Sequence, residues 1–222
     1  MKISPTLTEV KEIAKTGKYD ILPVSCEILS DFITPIEAMR ILQNVSTHCY
    51  LLESAQANEA WGRYTFLGYD PKLEINCIDG HMKLGKLSVE TENPSEYIRQ
   101  ILSEYKSPKF DYLPSFTGGL VGYFSYDYLG YKEKSIRGKA RNTEDFKDVD
   151  LMLFDKVIAF DNLCQKIILI ANMSLDAPET GYNKAIVELK QLRELLMHGE
   201  KKQNMGGKLL GEVTPLFEKE GA

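Results

Sequence analysis

Residues 50–71 read YLLESAQANEAWGRYTFLGYDP, and this stretch sets the fold class. The apolar run Tyr50-Leu51-Leu52 ends on Glu53 and Ser54, and polar residues fill 55–60. Trp61-Gly62-Arg63-Tyr64-Thr65-Phe66-Leu67-Gly68 then alternates aromatic side chains with small or polar ones. An apolar run and an alternating one on either side of a polar connection predict a strand, a loop and a second strand. Glu53 and Ser54 fall where the first strand ends, Arg63 and Tyr64 where the second begins. A carboxylate, a hydroxyl, a guanidinium and a phenol thus meet at one sheet edge. Such a set can hold a zwitterion, the acid taking an ammonium and the cation and hydroxyl a carboxylate. The same residues equally describe the charged rim of a hairpin.

Outward from this stretch the chain mixes short strands with separated helices. Before it, Thr6 and Glu9 have capping-box spacing ahead of the stripe Leu7, Val10, Ile13, Ala14, and Gly17 follows as a stop. Residues 21–29 are extended, with Pro23 marking an edge or an irregular start. Thr34-Pro35-Ile36-Glu37 opens a helix near whose end Asn44 lies, with Ala38, Met39, Leu42 and Val45 on one face. After it, residues 72–90 read as an antiparallel meander turning at Asp79-Gly80. Asn93-Pro94-Ser95-Glu96 predicts a capped helix facing inward through Tyr97, Ile101, Leu102 and Tyr105. An aromatic strand is expected over 116–126. Its glycines, Gly118, Gly119 and Gly122, are followed by no Lys-Ser/Thr and no helix, so they indicate close backbone approach rather than a phosphate loop. Residues 131–150 form a charged, solvated segment. Residues 151–160 and 166–171 read as a hairpin turning at Asp161-Asn162, and 178–198 as a long helix ended by Gly199. No regular alternation of strand and helix occurs, so the class is α+β.

The 222 residues are 43% hydrophobic and 27% charged, enough for a substantial core. A net charge of −5 with no basic stripe argues against nucleic acid as a partner. No run is long and apolar enough to span a bilayer, and the first residues lack a secretory signal, so a cytoplasmic location with no membrane partner is expected. Cys26, Cys49, Cys77 and Cys164 form no CxxC pair and are read as reduced, packed thiols. His48, His81 and His198 are too scattered for zinc.

Four segments carry a family resemblance. LLES at 51–54, GRYTFLG at 62–68, GGLVGYFSYD at 118–127 and FDKVIAFD at 154–161 resemble segments of anthranilate synthase component I, in the same order. The resemblance runs roughly over residues 5–200 and is confined to the amino-terminal part of that subunit. It implies a layered, antiparallel β-sandwich-like fold with helices packed outside. It implies a complete enzyme that makes anthranilate and pyruvate from chorismate and ammonia with Mg²⁺. A glutamine amidotransferase partner would supply the ammonia, and L-tryptophan would inhibit. The serine of LLES and its neighbours contact tryptophan in the family, which carries over to Leu52, Glu53 and Ser54, with Arg63 and Tyr64 from the matching GRYTF segment. Leu51, Leu52 and Phe66 would line part of an indole slot. The resemblance further implies that residues 1–200 are a tryptophan-regulatory domain and 201–222 a linker toward a missing chorismate-binding catalytic domain. That missing part would hold the Mg²⁺ ligands, so no catalytic or metal residue is expected here. Two other readings remain: the equivalent part of aminodeoxychorismate synthase, which makes a folate precursor, and a non-catalytic ligand-binding module.

Overall fold

The computed structural model describes residues 2–53, 62–133, 135, 146–202, 207 and 211. In chain order the elements are β1 (Ile3–Ser4), α1 (Leu7–Lys15), β2 (Ile21–Leu29), α2 (Pro35–Val45), β3 (Cys49–Leu52), β4 (Tyr64–Tyr69), β5 (Leu73–Ile78), β6 (His81–Leu84) and β7 (Leu87–Glu90). There follow α3 (Pro94–Ser103), β8 (Gly119–Phe124), a 3₁₀ turn (Tyr126–Tyr131), β9 (Val149–Phe154), β10 (Lys156–Asp161), β11 (Lys166–Ser174) and α4 (Pro178–His198). The strands make two antiparallel sheets, ordered β1-β2-β11-β10-β4-β3 and β7-β6-β5-β9-β8. The class is α+β, as the sequence predicts.

A single bent ribbon joins the sheets. β4 pairs with β10 in the first sheet, and β5 pairs with β9 in the second. Because β4 leads into β5 and β9 into β10, both strands of the ribbon cross from one sheet to the other. Leu67 faces Ile158 before the crossing and Leu73 faces Leu153 after it, so the β4–β5 side uses one residue more. That surplus is taken up around Asp70, which sits in the left-handed region at φ 54; one extra residue on one strand bends a ladder and increases its twist. Lys72 N–H donates to the Leu153 carbonyl at 2.8 Å and restarts the ladder. On the other side, the Asp155 carbonyl accepts from the Asn172 backbone N–H at 2.8 Å and from its Nδ2 at 3.0 Å. The expected single strand over 151–160 is therefore two strands in two sheets, broken at Asp155.

The apolar alternation decides which face each helix covers. In the first sheet, Leu22, Val24, Leu67, Leu169 and Ala171 pack under Val10 of α1, Ala38 and Leu42 of α2, and Leu189 and Leu192 of α4. Its other face buries Val157, Ala159, Ile168 and Ile170 against Leu113 and the rings of Phe66, Phe110 and Phe116. The second sheet buries Ile75, Cys77, Val149 and Leu151 with Ile98 of α3.

Local signals explain the helix starts. Thr6 and Glu9, and likewise Thr34 and Glu37, form complete reciprocal capping boxes. Asn93 is the N-cap residue of α3 but its side chain makes no capping bond; its Nδ2 instead donates to Glu96 Oε1 at 2.6 Å. Val45, in the last turn of α2, is exposed, while Ala38, Ile41 and Leu42 are buried. In α3 it is Ile98 that is buried, while Leu102 is exposed. The aromatic strand ends at Phe124, and a 3₁₀ turn takes Tyr126. Gly199 ends α4 in an extended, not left-handed, conformation. Three thiols are at least half-buried, but Cys164 is exposed because it lies in the β10–β11 connection.

Close backbone approach holds at Gly118 and Gly122 but not at Gly119, where nothing lies within 4 Å of the position a Cβ would take. A Cβ on Gly122 would overlap the Asp150 carbonyl of the neighbouring strand, and one on Gly118 would lie 2.6 Å from Asn172 Nδ2. Both residues have positive φ.

Candidate functional site

The β3–β4 hairpin forms as read. Leu52 pairs with Phe66, Leu51 with Leu67 and Tyr50 with Gly68. Strand alternation then sorts the candidate residues by face. Leu52, Phe66 and Tyr64 share the face away from the large helices, whereas Leu51 sits with Leu67 against the helix-covered core. Leu51 therefore cannot line the same slot as Leu52 and Phe66, since its one-residue offset sends it through the sheet. Leu52 is about half exposed, and Glu53 is exposed just past the end of β3. Ser54 lies outside the described residues.

The open face is aromatic. Tyr64 and Phe66 have ring centroids 5.8 Å apart, and Phe66 meets Phe116 edge-on at 5.5 Å. Tyr50 continues the row, packing edge-on against Phe154 at 4.7 Å and Phe116 at 6.3 Å. Edge-to-face pairs of this kind add about 1 kcal/mol each beyond their burial. They also fix the ring orientations, so the face is a stiff apolar wall.

Arg63 stands beside this wall and is already engaged. Its Nε donates to Asp161 Oδ1 at 3.1 Å and its Nη2 to Asp161 Oδ2 at 2.7 Å, a two-pronged fork. The guanidinium also lies 4.9 Å from the Tyr64 ring centroid. Asp161 ends β10 opposite Tyr64 and is 1% exposed. Its Oδ1 accepts two further bonds, from Leu163 N–H at 3.2 Å and Cys164 N–H at 3.0 Å. Burial alone would raise this carboxyl's pKa, but the Arg63 fork and the loop amides outweigh it and hold the pKa below the ordinary aspartate range. The same fork raises the Arg63 pKa. Burial pushes the Tyr64 hydroxyl upward, with Arg63 partly opposing.

The hairpin end thus offers an aromatic and aliphatic wall (Leu52, Tyr64, Phe66), a carboxylate on its rim (Glu53) and a cation fixed by a buried partner (Arg63). Two of the guanidinium's nitrogens face Asp161, and Nη1 makes no hydrogen bond to a described residue. Such a surface suits a flat apolar group bearing an ammonium and a carboxylate. Asp161 was not legible as part of it, because it reads as a turn residue and its partner lies 98 positions away. Among the described residues there is no group of three or more His, Cys, Asp or Glu that could hold a metal ion. No helix among the described residues is long and apolar enough to cross a membrane.

The chain is 33% identical over 198 residues to anthranilate synthase component 1 of Acetivibrio thermocellus, covering 86% of this chain and 39% of that protein. With the Pseudomonas aeruginosa protein of the same name, identity is 35% over 197 residues, again 39% of that protein. The chain is homologous to anthranilate synthase component 1. It spans about two fifths of the length of the component 1 relatives it matches. No protein-family model matches the chain. A crystal structure of anthranilate synthase component I from Streptococcus pneumoniae superimposes with a TM-score of 0.49 and 25% identity, covering 75% of this chain and 36% of that one.

Proposed function

We propose that this chain is the tryptophan-sensing, amino-terminal part of an anthranilate synthase component 1. The complete subunit would convert chorismate and ammonia, derived from glutamine through an amidotransferase partner, into anthranilate and pyruvate with Mg²⁺. The observation that carries the reading is the similarity to component 1 proteins over 86% of the chain. The hairpin end supports it by its chemistry. The indole would lie against Leu52, Tyr64 and Phe66, the ammonium would face Glu53, and the carboxylate would take Ser54 and the outer edge of Arg63. Chorismate and Mg²⁺ would bind in the portion of the component 1 relatives that lies outside this chain, and residues 201–222 would lead toward it. Tryptophan would act by favouring a low-activity arrangement of the two parts, which requires that it bind that arrangement more tightly.

The test is a titration of the chain with L-tryptophan, followed through backbone amide resonances. Shifts confined to residues 50–53 and 62–66 are expected, with weak affinity because part of the pocket is contributed from elsewhere. Ser54→Ala should weaken binding about 10-fold, the value of one hydrogen bond to a charged group. L-tryptophan leaving those resonances unmoved at millimolar concentration would sink the assignment. So would equal affinity in Ser54→Ala.

A further inference from the structure

A pocket of about 400 Å³ opens between the end of β1, helix α1 and the connection from α3 to β8. Its walls are of three kinds. Pro5 and Ile13 are apolar. Phe110 and Tyr112 stack with ring centroids 5.1 Å apart and planes 23° apart, and Tyr112 stays 45% exposed, so an aromatic surface borders the pocket. Glu9 and Glu12, one turn apart on α1, supply carboxylates. Among the described residues no lysine, arginine or histidine lines it.

The charge at this pocket has one sign and is only partly answered. Glu12 pairs with Lys15 at 2.6 Å, but the two side chains are 65% and 70% exposed, and a pair so open to water is weak enough to share with a second cation. Glu9 has no ion-pair partner among the described residues. Its Oε2 accepts from Thr6 N–H at 2.7 Å and from Thr6 Oγ at 2.8 Å. Those bonds complete the α1 cap and hold the carboxyl below the ordinary glutamate range, so it is ionised at neutral pH. No described residue donates to its Oε1. The Tyr112 hydroxyl likewise has no hydrogen-bond partner among the described residues. Burial first, and the Glu9 charge second, push its pKa up to about 12, so the carboxylate is close enough to act on the phenol. An ionised carboxylate beside aromatic rings favours a cation twice over, since the ring faces carry negative charge of their own. An anion would be repelled by both, and a neutral molecule would gain nothing from Glu9.

We propose that this pocket binds a small organic cation, an aromatic body bearing an ammonium group. The ring would lie against Phe110 and Tyr112, and the ammonium would sit at Glu9 and Glu12. The volume falls within the range of small-molecule sites. No residue of β3 or β4 lines the pocket, so it is distinct from the hairpin end and does not rest on the tryptophan reading.

The test uses the 222-residue chain and four probes, followed through backbone amide resonances at neutral pH. Phenethylamine should shift residues 4–13 and 110–113. 2-Phenylethanol keeps the ring without the charge, and butylamine the charge without the ring. Each should bind at least about 5-fold more weakly, as loss of one ring–cation or exposed ion-pair contact implies. 3-Phenylpropionate should leave these resonances unmoved. Glu9→Gln can still complete the capping box, so it should fold, lower phenethylamine affinity about 3-fold and spare 2-phenylethanol. Tyr112→Leu should weaken both aromatic probes. Any of the other three probes matching phenethylamine would overturn the proposal, as would no localised shift with phenethylamine at millimolar concentration. Unchanged phenethylamine affinity in folded Glu9→Gln would also overturn it. If Glu9→Gln unfolds, Glu12→Gln must lower phenethylamine affinity in the same way, and an unchanged value there counts against the site.

Discussion

Arg63 shows what one side chain is asked to do. Its fork to Asp161 is the most buried ion pair among the described residues, and Asp161 also ties down the Leu163 and Cys164 amides. Replacing Asp161 by Asn keeps the shape but removes the charge, and should cost about 2 kcal/mol, discounted because Arg63 is a third exposed and can be rehydrated. Arg63→Ala should cost more, about 3 kcal/mol, because it strands a buried carboxylate. Urea midpoints of the two variants measure this. If Arg63 only received a ligand, its removal would leave the midpoint where it was. The pH dependence has a definite sign. The Asp161 carboxyl is depressed in the fold, so its contribution is complete above the unfolded value of about 3.9 and is lost as pH falls through the lower folded value. The stability gap between the unmodified chain and Asp161→Asn should therefore be constant near neutrality and close only below about pH 4. Pairs of short range were legible beforehand: Thr6 with Glu9 and Thr34 with Glu37 are three residues apart and cap as their spacing dictates. Arg63 and Asp161 obey the same electrostatics across 98 residues, and no local pattern marks that pairing.

Strand β8 shows how an element is specified by what it leaves out. Gly122 has a φ of 151 and backs onto the Asp150 carbonyl, so a methyl group there must push β8 off β9. Gly122→Ala should cost about 3 kcal/mol or more, the strain of the left-handed backbone plus the clash. Gly17 is the control. Its φ of 62 is also left-handed, but nothing lies within 4 Å of its would-be Cβ, so Gly17→Ala should cost only about 1–2 kcal/mol. Thermal melts of the two variants decide it, and equal losses would mean that backbone conformation alone, not close packing, demands glycine in β8. The packing role of these glycines was readable from the aromatic residues around them. The break at Asp155 was not. Residues 151–160 are uninterruptedly strand-like, and the split is imposed by Asn172 donating to the Asp155 carbonyl from β11. The start of α3 falls where the sequence puts it, but its side-chain cap does not form: Asn93 has the right spacing to Glu96, and the two side chains bond each other rather than the helix amides.

At the scale of the whole molecule, the two sheets differ in how completely they are covered. The first is closed by three helices on one face and by the 106–118 segment on the other. The second has α3 on one face and ends in β8, which among the described residues pairs only with β9. Along that edge and the 3₁₀ turn after it, Tyr123, Phe124, Tyr126 and Leu129 are 37%, 49%, 86% and 49% exposed. Exposed apolar side chains beside a strand edge that is unpaired among the described residues make a surface that water does not favour and that other strands can add to. On the proposed function, the remainder of a component 1 subunit covers it. Without that cover, the chain should bind the apolar dye ANS and its sedimentation coefficient should rise with concentration. Phe124→Ser combined with Leu129→Ser should suppress both, at little cost to the urea midpoint because neither side chain is buried. A chain that stays monomeric and dye-free at high concentration would mean that the patch is already protected by its own neighbours. The need for a covering partner would then fall away, and with it the main structural support for treating this fold as one part of a larger subunit.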